Sequence, residues 1–578
     1  MMKLLGIQIE KFRSIEKCYI HLNETNAIVG ENNAGKTAIL RALNSVFNYE
    51  YEEKYFKDNT HQFAIRNNTK ITLTFNDVPD KEIYSTKINS EKLILVFSFA
   101  YSNNKKTMYC SIPQGKVPVD DDFIKLLKQD IDYVYVPASR SNRDLAWTEN
   151  SIFKRLITLF TQQYTQNRDN ISKRVQSVAD VLHSTILTKI EKEISSLNML
   201  GDSGNYKLDY MSSIDYTIFL NKLGIKIIDH GREFPVAECG SGIKSLTVIA
   251  LYRTLAKKEN TNIILGIEEP ETNLHPQAQK KLIASLKSNR QEHEVQSIFA
   301  THSTVIVDEL NHEDIILVRR INNSDRGFVS TVSQLDNNFW EMHNIGEFKH
   351  YDFFKYRNSD FFFSKHVIVV ESTTDAQVVE KLISPKLKDD FYYVSILNLN
   401  GVKNLKYPYF LLKDLHIPFS IVVDRDFFTP YLHDRLADSR ADNTGLPQYA
   451  NRIDDRNPVI NAIFTDATQK EKLRSIFEKS YSVSYDYLKQ FKIYSMQYCL
   501  EMDLTCSKKA RDEYYRILNI PIDERNQKSL LISSKKNIKN PENIFKVLEN
   551  ISIVEYPISY KKIKNALIAD VQSTISSV

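Results

Sequence analysis

The sequence predicts an α/β protein with two separate sheets, on three observations. Apolar, strand-like runs alternate with segments of helical periodicity in both halves of the chain, which is typical of sheets covered by helices. A glycine-rich turn, GENNAGKT at residues 30–37, lies between a strand and a helix. Two later apolar runs, ending at Glu371 and Asp424, each finish in an acidic residue.

The composition is that of a globular protein. At 578 residues the chain is long enough for about two to four domains. A hydrophobic content of 42% with 26% charged residues argues against a collagenous or broadly disordered chain. The net charge of +4 permits local basic patches but does not by itself indicate nucleic-acid binding.

The spacing of the five cysteines and the length of the apolar runs indicate the cellular compartment of the protein. No CxxC pair occurs, which argues against a zinc site or a disulfide framework and favours a reducing compartment. The opening MMKLLGIQIEKFRS lacks the apolar core of a signal peptide, and no run approaches the roughly 18 apolar residues of a membrane helix. We therefore expect a cytoplasmic protein with no membrane partner.

The glycine-rich turn in residues 1–144 predicts an ATP site. NAIVG before it reads as a strand, and TAILRALNSVF after it has helical spacing. In such a P-loop the backbone amides hold phosphate oxygens, Lys36 reaches the β- and γ-phosphates, and the Thr37 hydroxyl binds Mg²⁺. The predicted ATP-binding residues of the turn are Gly30, Asn32, Asn33, Ala34, Gly35, Lys36 and Thr37.

Residues 145–205 differ from the segments around them. SIFKRLITLFTQQY and ISKRVQSVADVLHSTILTKIEKEISSL have sustained helical periodicity. We predict a helical insert that serves in dimerisation and is too short for a long coiled-coil arm.

The α/β pattern returns in residues 206–350. The apolar strand NIILGIEEP ends in Glu268 and Glu269. In a chain with a P-loop, the first glutamate is predicted to hold Mg²⁺ and the second to orient or deprotonate the attacking water. A solvated acidic strand end is the alternative.

Two short turns in the same region are further candidates. ECGSGIKSL places Ser241 and Gly242 at the start of a helix, where amides and a hydroxyl can contact phosphate. His302 ends the strand QSIFATHS, where it could contact the γ-phosphate and sense hydrolysis. A plain capped loop and a structural histidine are the alternatives.

Taken in order, these motifs resemble the ABC-type ATPases of the SMC/RecF/Rad50 branch. EEPETNLHP is similar to the Walker B motif and D-loop of that group, THS to its switch histidine, and CGSGIKS to a divergent form of its signature. The resemblance covers roughly residues 1–140 and 205–320. It implies a head-to-tail dimer in which the signature of one chain completes the ATP site of the other.

Residues 351–578 carry a second α/β pattern with acidic strand ends. In HVIVVESTTD a strand ends in Glu371, and Asp375 follows near a helix start. The strand IVVDRD ends in Asp424 and Asp426, whose side chains share a face at i and i+2. Because like charges repel, the pattern predicts a divalent cation such as Mg²⁺ or Mn²⁺. A capped turn is the alternative.

This second pattern resembles the TOPRIM domain of topoisomerases, primases and OLD (overcoming lysogenization defect) nucleases. It departs from the usual form at Ser372, where glycine is common. The resemblance implies that Glu501 is an extra metal ligand. It also implies that a C-terminal lysine, Lys536 in preference to Lys535, stabilises charge on the scissile phosphate. A surface carboxylate and a solvated lysine run are the alternatives.

An ABC-type head with a helical insert, followed by a TOPRIM domain with a C-terminal extension, resembles the OLD family. This implies a DNA endonuclease, often acting in anti-phage defence, that hydrolyses phosphodiesters with two metal ions and is gated by an ATPase dimer. The alternatives are a RecF-like repair ATPase without nuclease activity and a primase- or topoisomerase-like enzyme. The implied partners are DNA, further copies of the chain, and a defence component such as a helicase or a retron reverse transcriptase with its DNA.

Overall fold

The computed structural model divides the chain into two compact units. The first comprises Met1–Phe12, His21–Asn26 and Thr37–Thr301, and the second comprises Arg13–Ile20, Ala27–Lys36 and His302–Val578. The described residues are 2–64, 67–138, 152–162, 165–196, 208, 223–229, 231–258, 262–287, 295–324, 327–346, 359–430, 444–450, 453, 457–477 and 480–577. The predicted boundaries at 144/145, 205/206 and 350/351 lie outside them, so the domain limits stay a prediction.

The described elements include both strands and helices, and helices predominate after residue 458. The strands are β1 (Lys3–Phe12), β2 (Ile15–His21), β3 (Thr25–Val29), β4 (Thr69–Asn76), β5 (Ile88–Asn89), β6 (Lys92–Ala100), β7 (Lys105–Ile112), β8 (Gly115–Val119), β9 (Ile131–Val136), β10 (Lys226–Asp229), β11 (Arg232–Pro235), β12 (Asn262–Glu268), β13 (Val295–Ala300), β14 (Ile315–Asn323), β15 (Gly327–Gln334), β16 (His366–Val370), β17 (Val394–Asn398), β18 (Phe419–Val423) and β19 (Ile493–Ser495). The helices are α1 (Lys36–Phe47), α2 (Tyr49–Lys57), α3 (Glu82–Ser85), α4 (Asp121–Leu127), α5 (Ile152–Gln162), α6 (Thr165–Leu182), α7 (Thr188–Ser196), α8 (Ser241–Lys258), α9 (Pro276–Lys287), α10 (Thr304–Val307), α11 (Phe339–Met342), α12 (Thr373–Leu387), α13 (Lys406–Asp414), α14 (Pro458–Ile463), α15 (Ala467–Phe477), α16 (Tyr481–Leu488), α17 (Leu500–Thr505), α18 (Lys508–Ile517), α19 (Gln527–Ser533), α20 (Lys535–Ile538), α21 (Pro541–Asn550) and α22 (Ile558–Ser577).

The first unit contains parallel strands that carry the acidic strand end. β12 pairs in parallel with β9 on one side and β13 on the other, and its interior residues are buried. Gly266 is required there because a Cβ atom would lie 2.1 Å from the hydroxyl of Tyr133. That hydroxyl donates to the Leu40 carbonyl of α1 at 2.9 Å, so this helix packs on the strands. The unit also contains an antiparallel ladder in the order β8-β7-β6-β4-β1, with β5 paired to β6, and a separate two-stranded sheet of β10 and β11.

The second unit contains a four-stranded parallel sheet in the order β17-β16-β18-β19. All five residues of β16 are buried, as expected for a parallel strand covered on both faces. Ile368 and Val370 of this strand share one core with Val378 of α12 and Leu567 of α22. The predicted α/β fold class, an ATPase domain followed by a TOPRIM domain, is confirmed.

Two regions are more helical than their neighbours. Residues 165–196 form α6 and α7, joined by a π-helical turn at His183–Leu187, in agreement with the periodicity. The tail after residue 527, where the sequence shows only weak helical periodicity, is also mostly helical and ends in the 20-residue α22. Among the described helices, none is long and apolar enough to span a bilayer.

Candidate functional site

The lysine of the P-loop is hydrogen-bonded to the backbone of the same loop. The Lys36 ammonium is buried and donates to the carbonyl oxygens of Gly30 at 2.9 Å and Glu31 at 2.7 Å. Gly30 has a φ of 146°, and a Cβ atom there would lie 2.0 Å from the Val318 carbonyl oxygen. Only glycine fits this combination of backbone conformation and close approach. The loop is thus held in a fixed curve, with Lys36 at the first position of α1.

The second half of the loop is held by two hydroxyl groups that the sequence did not single out. The Ser330 hydroxyl donates to the Ala34 carbonyl at 2.5 Å and shares a hydrogen bond of 2.7 Å with the Ser14 hydroxyl, which acts as the donor. A Cβ atom on Gly35, which has a φ of 107°, would lie 2.5 Å from the Ser330 hydroxyl oxygen. Asn32 and Asn33 are exposed at the tip of the loop. Ser14 and Ser330 lie far apart in sequence, so no local pattern points to them.

The two glutamates that follow β12 have different environments. A carboxylate oxygen of Glu268 accepts from the Ala138 amide at 3.3 Å, and its charge adds to burial in raising the pKa of Tyr135. Glu269 has a φ of 41° and is exposed, so it turns away from the line of the strand. The Glu269 carboxylate accepts from the Thr272 hydroxyl at 3.3 Å. Such different environments are consistent with different roles.

The turn at Ser241 and Gly242 begins α8, as predicted. A Cβ atom on Gly242 would lie 2.4 Å from the Asn273 carbonyl oxygen, so the helix start packs closely on the loop that follows Glu269. His302 follows β13. His302 and most of the P-loop belong to the second unit, whereas Glu268, Glu269 and Ser241 belong to the first. Their assembly into one ATP site stays a prediction.

The predicted acidic strand ends of the second sheet meet at one edge. β16 and β18 are parallel neighbours, so Glu371, directly after β16, and Asp424, directly after β18, come together. The Asp424 amide donates to Glu371 Oε1 at 2.9 Å. The Glu371 carbonyl accepts from the amide of Gly401, whose φ is 118°. The turn after β17 thus supports the first acidic strand end.

Ser372, the departure from the usual TOPRIM turn, caps a helix. Its hydroxyl oxygen accepts from the Asp375 amide at 3.3 Å, and its own amide donates to Asp375 Oδ2 at 2.9 Å. This reciprocal capping box fixes the start of α12. Serine at this position therefore holds Asp375 beside the acidic strand end rather than disturbing the turn.

The acidic residues act on one another electrostatically. Burial, together with the charges of Asp426, Asp375 and Glu501, raises the pKa of Glu371 to about 7. The pKa of Asp424 is also raised well above its usual value, first by burial and then by the charge of Glu371. The pKa values of Asp375 and Asp426 are also raised, in each case first by burial. These hard oxygen donors fit a divalent cation, which would remove the repulsion.

In this structure the described acidic side chains are not positioned as a set of metal ligands. Within the described ranges, no three His, Cys, Asp or Glu side chains are placed so that they could hold a metal ion. Glu371 accepts from a backbone amide and Asp375 serves the capping box. The individual metal ligands therefore stay a prediction.

We expect the metal-free protein to lose stability as the pH rises from 4.5 to about 7, the interval of the Glu371 shift. Because the folded pKa is the higher one, the folded protein retains a proton that the unfolded chain releases, and this contribution disappears above pH 7. A loss on the order of 3 kcal/mol would follow. Thermal unfolding in EDTA across this range is the measurement. Glu371→Gln should reduce the dependence of stability on pH. It should not remove the dependence, because the raised pKa of Asp424 contributes in the same direction. An unchanged dependence would contradict the assignment of this effect to Glu371.

Glu501 lies in the first turn of α17 and pairs with Lys539, Nζ to Oε1, at 2.5 Å. Burial lowers the pKa of Lys539, but the nearby Glu501 and Asp424 outweigh it and the pKa is raised. The charge of Lys539 in turn lowers the pKa of Asp426. Lys536 and Lys539 are both exposed, but Lys539 is the one that pairs with Glu501. The lysine in contact with the acidic residues is therefore Lys539, which the sequence analysis did not select.

Asp503, two residues after Glu501, has a structural role. It is buried and accepts from the amides of Gln497 at 2.8 Å and Tyr498 at 2.7 Å. The Tyr498 carbonyl then accepts from the Arg425 amide at 2.9 Å. This buried carboxylate thus supports the turn that holds the Asp-Arg-Asp segment.

Two family models match the chain. Residues 25–308 match an AAA domain described as a putative AbiEii toxin of a type IV toxin–antitoxin system. Residues 362–426 match the TOPRIM domain of overcoming lysogenization defect protein-like proteins. The two models correspond to the P-loop region and to the sheet that carries Glu371 and Asp424. Together they imply the use of a nucleotide and of a divalent metal ion.

Several curated proteins are similar over much of the chain. An OLD nuclease of Thermus scotoductus is 26% identical over 73% of this chain and 82% of its own length. The Old nuclease of Escherichia phage P2 is 23% identical over 83% of this chain and 86% of its own length. An endonuclease GajA of Bacillus cereus is 25% identical over 44% of this chain and 40% of its own length. The chain therefore joins an AAA-type ATPase domain to an OLD-like TOPRIM domain, the combination that the OLD resemblance predicts.

Proposed function

We propose that the chain is an ATP- and metal-dependent DNA endonuclease of the OLD family. The observation that carries this proposal is the meeting of Glu371 and Asp424 at neighbouring strand ends, with raised pKa values, in a chain that also has a P-loop. Similarity to proteins named nucleases supports the same activity. The TOPRIM sheet supplies the cutting centre and the P-loop region supplies ATP control.

The acidic edge of the TOPRIM sheet is the proposed metal centre. The ligands are Glu371, Asp375, Asp424, Asp426 and Glu501. These residues would hold two Mg²⁺ or Mn²⁺ ions, which would supply activation of a water and neutralisation of the leaving oxygen of the phosphodiester. Of these residues, Glu371 and Asp424 stand on the strand ends and set the position of the centre, while Asp375 stands at the capped start of α12.

The proposed ATP site uses the roles that the motifs predict. Lys36 and the loop amides hold the phosphates, while Thr37 and Glu268 hold Mg²⁺. Glu269 positions the attacking water, and His302 contacts the γ-phosphate. Ser241 and Gly242 complete the site of a second chain. ATP binding or hydrolysis then gates access of DNA to the cutting centre.

We assign the charge-stabilising lysine to Lys539 rather than Lys536, because Lys539 pairs with Glu501 and acts on Asp426. Lys539→Ala is expected to lower the cleavage rate by about tenfold to a hundredfold, the cost of one charged hydrogen bond to the reacting phosphate. Lys536→Ala is the matched control and should change the rate by less than about twofold. Rates of plasmid nicking decide between them. The reverse order of effects would return the role to Lys536.

The helical insert is the proposed dimerisation surface. Its exposed apolar residues recur at helical spacing and would be covered by a second copy of the chain. They are Ile171, Val178, Val181, Leu182, Ile186 and Ile190. Val178, which is 71% exposed, is the most exposed of them.

We expect Val178→Asp to weaken self-association, because it places a charge on the apolar face. Ser177→Asp makes the same charge change at the neighbouring exposed position and should have little effect. Sedimentation velocity of both variants is the measurement. Equal association of the two variants would remove the insert from the proposed interface.

A role in anti-phage defence, with a helicase or a retron reverse transcriptase and its DNA as partner, follows only from the family resemblance and is part of the proposal. The proposed activity is tested by incubating the protein with plasmid and single-stranded DNA while Mg²⁺, Mn²⁺ and ATP are varied. Nicking that requires a divalent ion supports an endonuclease. Absence of cleavage under every condition would favour a repair ATPase without nuclease activity.

A further inference from the structure

One arginine of β14 stands beside the start of the P-loop. β14 pairs in parallel with β3, the strand that leads into that loop, with Leu317 opposite Val29. Two residues further along, Arg319 follows Val318, whose carbonyl oxygen would be only 2.0 Å from a Cβ atom on Gly30. The backbone that carries Arg319 is therefore in direct contact with the P-loop.

The guanidinium of Arg319 also contacts the entry to the TOPRIM sheet. Its Nη2 donates to the carbonyl oxygen of Lys365 at 3.0 Å, one residue before β16. Its Nη1 is buried and has no hydrogen-bond partner in the part of the chain that the structure describes. Burial lowers the pKa of Arg319, while the charge of Glu31 acts in the opposite direction. A buried cationic donor left unsatisfied costs stability, so stabilisation alone does not explain this arginine.

Glu31 is the residue through which ATP binding would change the surroundings of Arg319. In this structure its carbonyl oxygen accepts from the Lys36 ammonium at 2.7 Å. Under the proposed function, that ammonium turns to the β- and γ-phosphates when ATP binds. The peptide of Glu31 then loses a charge-assisted hydrogen bond and is released to move, and the Glu31 carboxylate moves with it.

We propose that Arg319 is a positioning residue that passes the occupancy of the P-loop to strand β16 and so to Glu371. The inference rests on the proposed function and names its regulatory link. In this relay the guanidinium would exchange its hydrogen bond with the Lys365 carbonyl for a contact with the Glu31 carboxylate, whose charge already acts on it. β16 is a fully buried strand, so a shift at Lys365, the residue before it, is transmitted to the acidic end instead of being absorbed. Such a two-state contact is the physical requirement for coupling between two sites.

Three variants test this relay in the full-length protein. Arg319→Met keeps the length of the side chain and removes its charge and donors, whereas Arg319→Lys keeps the charge. Arg320→Met is the matched control, because Arg320 is the adjacent residue, points to the opposite side of the strand, and stacks on Phe328 at 3.8 Å. Each variant is measured for ATP affinity, for thermal stability, and for the nicking rate with and without ATP.

In the unaltered protein and in Arg320→Met, we expect ATP to change the nicking rate by about fivefold or more. In Arg319→Met, ATP should bind with unchanged affinity and the protein should still cut, but ATP should change the rate by less than about twofold. Arg319→Lys should recover part of the response. Hydrogen exchange at the amides of β16 should respond to ATP in the unaltered protein and not in Arg319→Met.

A full ATP response in Arg319→Met would overturn the relay. An unaltered protein that binds ATP and cuts DNA, but at the same rate with and without ATP, would also overturn it while leaving the proposed activities in place. If Arg319→Met does not fold, Glu31→Gln answers the question, since it removes the second partner and should weaken the ATP response as well. A protein that cuts no DNA with any metal ion would instead refute the proposed function.

Discussion

Replacing Asp424 and Asp426 together by asparagine is expected to abolish DNA cleavage. Both carboxylates lie at the acidic edge of the TOPRIM sheet, where burial first and neighbouring acidic residues second raise the pKa of each. Loss of metal ligands removes several kcal/mol of transition-state stabilisation, which corresponds to a loss of about a thousandfold or more in rate. Plasmid nicking with Mg²⁺ and Mn²⁺ measures it.

The same double change should leave the fold intact. It removes like charges whose ionisation is opposed by burial, so the metal-free variant should unfold at the same temperature as the unaltered protein or at a higher one. Asp389→Asn with Asp390→Asn, two acidic neighbours before β17, is the matched control and should retain cleavage. Residual nicking by the first variant at the rate of this control would show that the acidic edge is not the cutting centre.

Replacing Lys36 by alanine is expected to remove ATP binding. The Lys36 ammonium is the buried cation of the P-loop, held by the carbonyls of Gly30 and Glu31. It would make charge-assisted contacts with phosphate oxygens, and the loss of two such contacts weakens binding by about a hundredfold or more. Fluorescent-nucleotide titration measures the affinity.

Lys57→Ala, an exposed lysine of α2 that pairs with Glu53, is the control and should bind ATP normally. The nicking rate of Lys36→Ala then gives the sign of ATP control. A lower rate makes ATP an activator, and a higher rate makes it a restraint. Unchanged ATP affinity in Lys36→Ala would place the nucleotide elsewhere.

The motifs that can be recognised in the sequence are those whose function depends on residues close together in the chain. Phosphate binding needs closely spaced glycines and a lysine, so Gly30 to Thr37 are recognisable without any long-range contact. Glu371 and Asp424 are recognisable because parallel strands bring their carboxyl ends to one edge. Ser372 departs from the usual TOPRIM turn in the sequence, and the structure gives the reason, because its hydroxyl caps α12.

The parts that could not be predicted depend on contacts distant in sequence. Lys539 is distinguished from Lys536 by its ion pair with Glu501, and a lysine-rich segment gives no sign of which side chain makes that pair. The buried residues of the tail helix α22 include Asp570, a polar residue that departs from an apolar helical pattern. That carboxylate accepts from the side chains of Lys492 and Tyr494 and is therefore stable inside the protein.

The central claim is that the acidic edge of the TOPRIM sheet holds divalent metal ions, and Mn²⁺ binding measures this directly. Mn²⁺ is titrated calorimetrically into Lys36→Ala, because this variant is expected to bind no ATP and therefore no metal ion that accompanies ATP. The comparison protein carries Asp424→Asn and Asp426→Asn in addition. We predict that Lys36→Ala binds Mn²⁺ and that the added changes abolish this binding. Equal Mn²⁺ binding by the two proteins would contradict the account.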